Sequence, residues 1–212
     1  MTKKIIAFSL WGDNPKYTIG AIKNAEIAMS EWIGWQCTFY VGNDVPQSIL
    51  GELLHLKCNI YNMNNSGWNG MFWRFFAADS DNIVISRDTD SRLGLREKAA
   101  VDEWLASNKD FHIMRDHPYH KTEILGGMWG TRNGLLKGIT NAICEYDKGE
   151  FDDKYQVDQN FLREIVYPKI KDKAMVHDEF FEKKPFPMNA PPRTSMYFVG
   201  QVYDYAERPE FT

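Results

Sequence analysis

Three short apolar runs, residues 3–10, 36–41 and 57–63, alternate with two stretches of helical spacing, which leaves the front of the chain few ways to fold. Ile22, Ala25, Met29 and Trp32 recur at helical intervals after Pro15, a residue suited to a first helical turn that Asp13 or Asn14 can cap. Gly34 ends that helix, and residues 46–56 form the second. A strand–helix–strand–helix–strand order predicts a parallel sheet with helices on both faces. In such sheets ligands gather at the carboxyl ends of the strands.

The most chemical of those ends is Ile83-Val84-Ile85-Ser86-Arg87-Asp88-Thr89-Asp90. A buried apolar strand stops at two carboxylates one residue apart. In extended backbone, residues i and i+2 project to the same side, so Asp88 and Asp90 can converge on one hard cation. Oxygen ligands favour Mg²⁺ or Mn²⁺, which commonly bind through one or two carboxylates plus a substrate's phosphates. A solvated turn is the plainer explanation of such a pair, and the strand leading into it argues against that.

The chain has 212 residues and a formal net charge of −4, with no basic stripe for nucleic acid. Cys37, Cys58 and Cys144 are widely spaced, so neither a disulfide framework nor zinc is implied, and a reducing compartment is expected. The apolar run at residues 5–10 is too short for a signal peptide or a membrane span, so a soluble, cytoplasmic protein is expected. Seven Trp and ten Tyr suit either an aromatic core or a cleft that stacks sugars and bases.

Beyond residue 63, helices are expected over residues 68–78, 96–107, 135–146 and 157–166. Strands are expected over 82–86, 111–115 and 174–177, with a Gly-rich strand or loop at 126–130 and an irregular packed tail from Lys183. Arg74, one charge inside an aromatic segment, needs an anion: a diphosphate, or Asp88 or Asp79. Ser9, Leu10 and Trp11 lie where a nucleoside would meet the end of the first strand. Asp116 and His117 could bond hydroxyls, Gly127 permits close backbone approach, and Trp129 offers a flat face to a pyranose. The corresponding structural readings are a turn at 116–118 and a core position for Trp129. Asp158 opens a helix, where the N-terminus favours an anion and should depress its pKa, and it can also face the cleft. His177, ending the last strand, is either structural or a metal ligand, with Lys184 placed to grip a diphosphate.

In order along the chain, these motifs resemble the GT-A glycosyltransferases that use nucleotide sugars, especially the retaining glycogenin-like group. The resemblance implies a Rossmann-like α/β fold with a mixed, mostly parallel sheet. It also implies Mn²⁺ or Mg²⁺ on Asp88, Asp90 and His177, and a diphosphate gripped by Lys184 and Arg74. Asp158 would act at the sugar. Lys184 stands one residue further from His177 than the family pattern has it, and the intervening Gly is missing. The chain also resembles the small N-terminal glycosyltransferase domains of chlorella virus capsid-glycan proteins. That likeness implies a UDP-sugar donor (UDP-L-rhamnose being one), an oligosaccharide acceptor, host cytoplasm and further domains in a longer polypeptide. One domain is expected over residues 1–212, with a donor and metal half to about residue 92 and an acceptor half after it. Two other readings compete: a haloacid-dehalogenase-type phosphatase, which carries Asp-x-Asp on its first strand, and a non-catalytic sugar- or cation-binding module.

Overall fold

The computed structural model describes residues 2–146 and 156–210. Strand β1 (Lys4–Leu10) leads into helix α1 (Pro15–Glu31), and β2 (Trp35–Val41) into α2 (Gln47–His55). Strand β3 (Asn59–Asn62) is followed by a short helix, α3 (Gly70–Trp73), that tightens into a 3-10 segment over Arg74–Asp79. Then come β4 (Ile83–Ser86), α4 (Leu95–Ala106), β5 (Phe111–Arg115) and β6 (Trp129–Thr131). After α5 (Ile139–Tyr146), helix α6 (Val157–Phe161) widens into a π-turn at Leu162–Val166 and continues as α7 (Tyr167–Ile170). Strand β7 (Ala174–Asp178) closes the sheet.

The seven strands lie in the order β3-β2-β1-β4-β6-β5-β7. All neighbours are parallel except β6, which runs antiparallel between β4 and β5. The parallel front half follows the strand–helix alternation. The antiparallel insertion carries no helix before it, so no periodicity announced it.

Successive residues of β1 serve opposite faces, as strand geometry requires. Ile6, Phe8 and Leu10 pack with α1, α2 and α4, while Ile5 and Ala7 pack with Ala77 and Val84 on the other side. A second large core joins α3, α5 and α6 to β5, β6 and β7. Trp129 is at its centre, 1% exposed, with its ring edge-on to Phe75 at 5.6 Å. The expected sugar platform is therefore a core residue, and its indole N–H has no partner among the described residues. Among the described residues no helix is long and apolar enough to cross a membrane, and all three cysteines are free.

Helix α1 is capped as its sequence suggests: Asn14 accepts from the Lys16 backbone N–H at 3.0 Å, with Pro15 in the first turn. Its inner face meets the loop that follows β4. A Cβ on Gly20 would stand 2.0 Å from the Thr89 carbonyl oxygen, so only glycine permits this approach. Asn24, fully buried, donates to the Thr89 and Ser91 carbonyls and accepts from the Leu93 N–H. Buried polar groups must be paired, and here that requirement fixes the path of the acidic loop.

Under the sheet, His112 and His177 share a hydrogen bond of 2.8 Å, and His177 reaches Glu103 at 2.7 Å. Burial is the first cause that holds His112, His177 and His120 below the ordinary histidine range, His120 at about 3. These rings stay neutral in the fold while the unfolded chain protonates near pH 6.5.

Two outcomes follow from this packing. Trp129→Ala should lower unfolding free energy by about 3–5 kcal/mol in urea melts, and Trp129→Phe by well under half of that, since Phe removes the unpaired N–H. Stability should hold above pH 6.5 and fall on acidification below it, because the unfolded state then binds the extra protons. His112→Asn should flatten that slope between pH 6.5 and 5, and an unchanged slope would exclude His112 as a source.

Candidate functional site

The acidic loop leaves β4 at the middle of the sheet, where Ser86 ends the strand. Arg87 turns back into the protein, 2% exposed, and pairs with buried Glu97 at 3.3 Å. Asp88 and Asp90 remain at a cavity of about 680 Å³ that Ser9, Leu10, Trp11, Arg74 and Asp158 also line. Asp88 is the more open, with 42% of its side chain exposed against 19% for Asp90. Burial, and then the charge of Asp88, push the Asp90 carboxyl up to about 6, while Lys16 at 3.8 Å and Arg74 pull it down.

That donor set fits a hard divalent cation. It supplies two carboxylates, and a diphosphate can supply further oxygens. Among the described residues no group of three His, Cys, Asp or Glu side chains is arranged to hold a metal.

Arg74 organises the floor of the cavity. Its guanidinium donates to Asp158 at 2.8 Å and to the Gly126 carbonyl at 3.3 Å, and lies 3.2 Å from Asp88. Its backbone N–H donates to Ser9 Oγ at 2.9 Å. Asp88 is thus one partner, as expected from the sequence. Asp79 is not: it accepts from the N–H groups of Gly138 and Thr140 at the start of α5. Asp158 lies in the first turn of α6, but burial pushes its carboxyl above the usual range, and Arg74 only partly counters this. The depression expected from the helix terminus is overturned, because the residue is 4% exposed and burial outweighs the lowering by Arg74 and the first-turn N–H groups.

Gly126 and Gly127 let backbone approach these charges. A Cβ on Gly126 would stand 2.4 Å from the Arg74 guanidinium, and one on Gly127 would stand 2.0 Å from Asp88 Oδ2.

Several residues expected here sit elsewhere. His177 does not reach the carboxylates, since both of its ring nitrogens are engaged by His112 and Glu103. Lys184 is exposed, pairs with Glu182 at 2.5 Å and does not line the cavity. Asp116 is fully buried, accepts two bonds from Arg96 (2.8 and 3.0 Å) and one from the Val199 N–H, so it has no face for an acceptor. His117 stacks on Phe198 at 4.5 Å outside the cavity wall. Leu10 lines the cavity, although it is only 1% exposed.

His120, Gln156, Gln159 and Gly200 also line the cavity, and of these His120, Gln156 and Gly200 had no local signal. The chain's last described segment straps the acidic loop: Tyr203 N–H donates to the Asp90 carbonyl at 2.8 Å, and Arg92 forks onto Glu207 at 3.1 and 2.7 Å. Lys16 joins Glu210 at 2.6 Å. From the sequence the tail from Lys183 was expected only to be irregular and packed.

No family model matches the chain, and no curated protein does. Solved structures do resemble it. A glycosyltransferase involved in the glycosylation of the major capsid of PBCV-1 aligns at 16% identity and TM-score 0.48, over 89% of this chain and 94% of that one. Glucosyl-3-phosphoglycerate synthase from Mycobacterium tuberculosis, in complex with Mn²⁺, UDP-glucose and phosphoglyceric acid, aligns at 12% identity and TM-score 0.48, over 83% and 69%. The apo form of the glycosyltransferase GlyE from Streptococcus pneumoniae TIGR4 aligns at 15% identity and TM-score 0.50, over 84% of this chain and 46% of that one. At such identities the likeness is one of fold. The chain has the GT-A α/β fold that its motif order resembles.

Gly127→Ala tests the close approach. The added methyl must displace Asp88, so divalent-ion binding, read by calorimetry, should weaken at least tenfold while circular dichroism stays native. Unchanged binding would show that the Asp88 position is not fixed by this contact.

Proposed function

We propose that the chain is a metal-dependent glycosyltransferase that moves a hexose-type sugar from a UDP-sugar donor to a glycan acceptor in the cytoplasm. One observation carries this reading: Asp88 and Asp158 flank Arg74, and Asp90 joins them on the wall of a cavity sized for a nucleotide sugar. Retention of configuration and L-rhamnose as the sugar rest on the family resemblance alone. The phosphatase reading is disfavoured because its nucleophile belongs on the first strand, and β1 here ends in Ser9 and Leu10.

Asp88 and Asp90 would hold Mn²⁺ or Mg²⁺. When bound, such an ion supplies positive charge against a departing diphosphate. The rest of the work falls to the chain. The nucleoside takes the loop after β1, where Trp11 and Gly12 line the cavity. Arg74 lends a planar fork to diphosphate oxygens beside Asp88. The two glycines let the Arg74 guanidinium and the Asp88 carboxylate lie close against backbone. Asp158, paired with Arg74 at 2.8 Å, steadies positive charge developing at the anomeric carbon, an interaction strongest in the transition state. The cleft would hold the acceptor hydroxyl on the same face of the sugar as the departing phosphate, whose oxygen takes the hydroxyl proton as the new glycosidic bond forms and the sugar–phosphate bond breaks.

The test is UDP binding and UDP release from UDP-sugars with Mn²⁺. Asp88→Ala and Asp90→Ala should abolish ion-dependent UDP binding, and EDTA-insensitive, unchanged affinity in the double variant would refute the metal role. Asp158→Asn should cut sugar transfer by about two orders of magnitude with UDP affinity retained. Near-normal turnover in that variant would leave Asp158 as a partner of Arg74 only.

A further inference from the structure

The sheet order divides the cavity. The loop after β1 stands on one side of β4, and the loop after β5 stands on the other, beyond β6. On that far side the wall includes Tyr119, His120 and Phe198. Tyr119 is 64% exposed, with His117 tilted against its ring and Lys121 Nζ 5.9 Å from the ring centre, and an exposed aromatic ring can take the C–H face of a sugar.

His120 is held in one tautomer. Its Nδ1 accepts from the Asp116 backbone N–H at 3.0 Å, so in the neutral ring the proton sits on Nε2. Asp116 is itself locked by Arg96, which makes this a rigid support. No described protein group takes the Nε2 side, and that nitrogen is not sealed from solvent. Gly200, at φ +84°, lets the tail pass the ring, and a Cβ there would stand 3.4 Å from His120 Cε1. The ring carries no charge near neutral pH: burial, His117 and Arg193 all oppose protonation, and only Asp178 favours it. The Arg193 guanidinium is itself stacked over Phe180 and Phe198 and donates to the Asp116 carbonyl. Among the described residues lining the cavity, Arg74 is the one Lys or Arg, and Asp88 and Asp158 already flank it.

Resting on the glycosyltransferase reading, we propose that His120 selects an uncharged pyranose on the far side of the cavity, its Nε2–H donating to a sugar hydroxyl oxygen. A fixed neutral donor beside an aromatic face rewards a hydroxyl and gives no added attraction to a carboxylate or phosphate.

Saturation-transfer NMR in the presence of UDP and Mg²⁺ tests this, with methyl gluco-, galacto- and mannopyranosides, each beside its methyl uronide. At least one neutral glycoside should bind, and its uronide about tenfold more weakly. His120→Asn keeps an acceptor near Nδ1 and loses the Nε2 donor, so it should weaken glycoside binding about tenfold, on the scale of one hydrogen bond. His120→Gln reaches the Nε2 position and should stay within about threefold of the parent. A purely structural histidine would give the reverse order, with Asn tolerated and Gln weak, and would overturn the inference. So would equal or tighter binding of the uronides, or no glycoside binding while Mg²⁺-dependent UDP binding persists. Glycoside binding without UDP binding would instead remove the glycosyltransferase reading and leave His120 as a sugar contact.

Discussion

A guanidinium inside an aromatic segment is the constraint on which this architecture turns. Arg74 is 7% exposed, and a charge so placed is costly unless its donors find anions and carbonyls. Its partners come from Ser9, Asp88, Gly126 and Asp158, which belong to four separate stretches of chain. Satisfying the guanidinium fixes the acidic loop, the glycine loop and the start of α6 relative to each other, and the Arg74 backbone N–H ties them to the end of β1. The cavity floor is rigid for an electrostatic reason before any ligand arrives. Its cost is visible in Asp158 and Asp90, both of which are held above their ordinary pKa by burial.

What could be read in the sequence follows from how local each signal is. Strand β5 and the acidic loop on the fourth strand were legible because apolar runs and Asp-x-Asp carry their meaning within a few residues. Helix 68–78 was legible as helical but not as a short α-turn tightening to 3-10, since the demand that Arg74 reach Asp158 comes from 84 residues away. His177 and Asp116 were misjudged for the same reason. Each looked like a free polar group at the end of a strand, but His112 lies 65 positions from His177, and Arg96 lies on a helix that precedes β5. Trp129 is a subtler case. A tryptophan beside glycines suits a sugar platform, yet the three-residue antiparallel strand it starts is buried on both sides by helices.

A third kind of information is carried by glycines whose meaning is a distance. Gly20 and Gly127 touch the acidic loop from opposite directions, one against the Thr89 carbonyl and one against the Asp88 carboxylate. Neither has a positive φ. Their role is clearance, which no propensity scale registers.

The strap formed by residues 202–210 has a consequence for the order in which the molecule can be assembled. Asn24 grips the acidic loop from α1 early in the chain, but Tyr203, Glu207 and Glu210 close it from the other end. A ribosome adds roughly 5–20 residues each second, so the front sheet has seconds to form before those residues emerge. Through that interval Asp88 and Asp90 belong to a nascent chain whose acidic loop is held on one side only. The contact between Arg92 and Glu207 spans 115 positions, and long-range closures of this kind are slow steps. The sheet can thus be native while the acidic loop is still unfinished, so the final setting of Asp88 and Asp90 should wait until residues 202–210 have emerged.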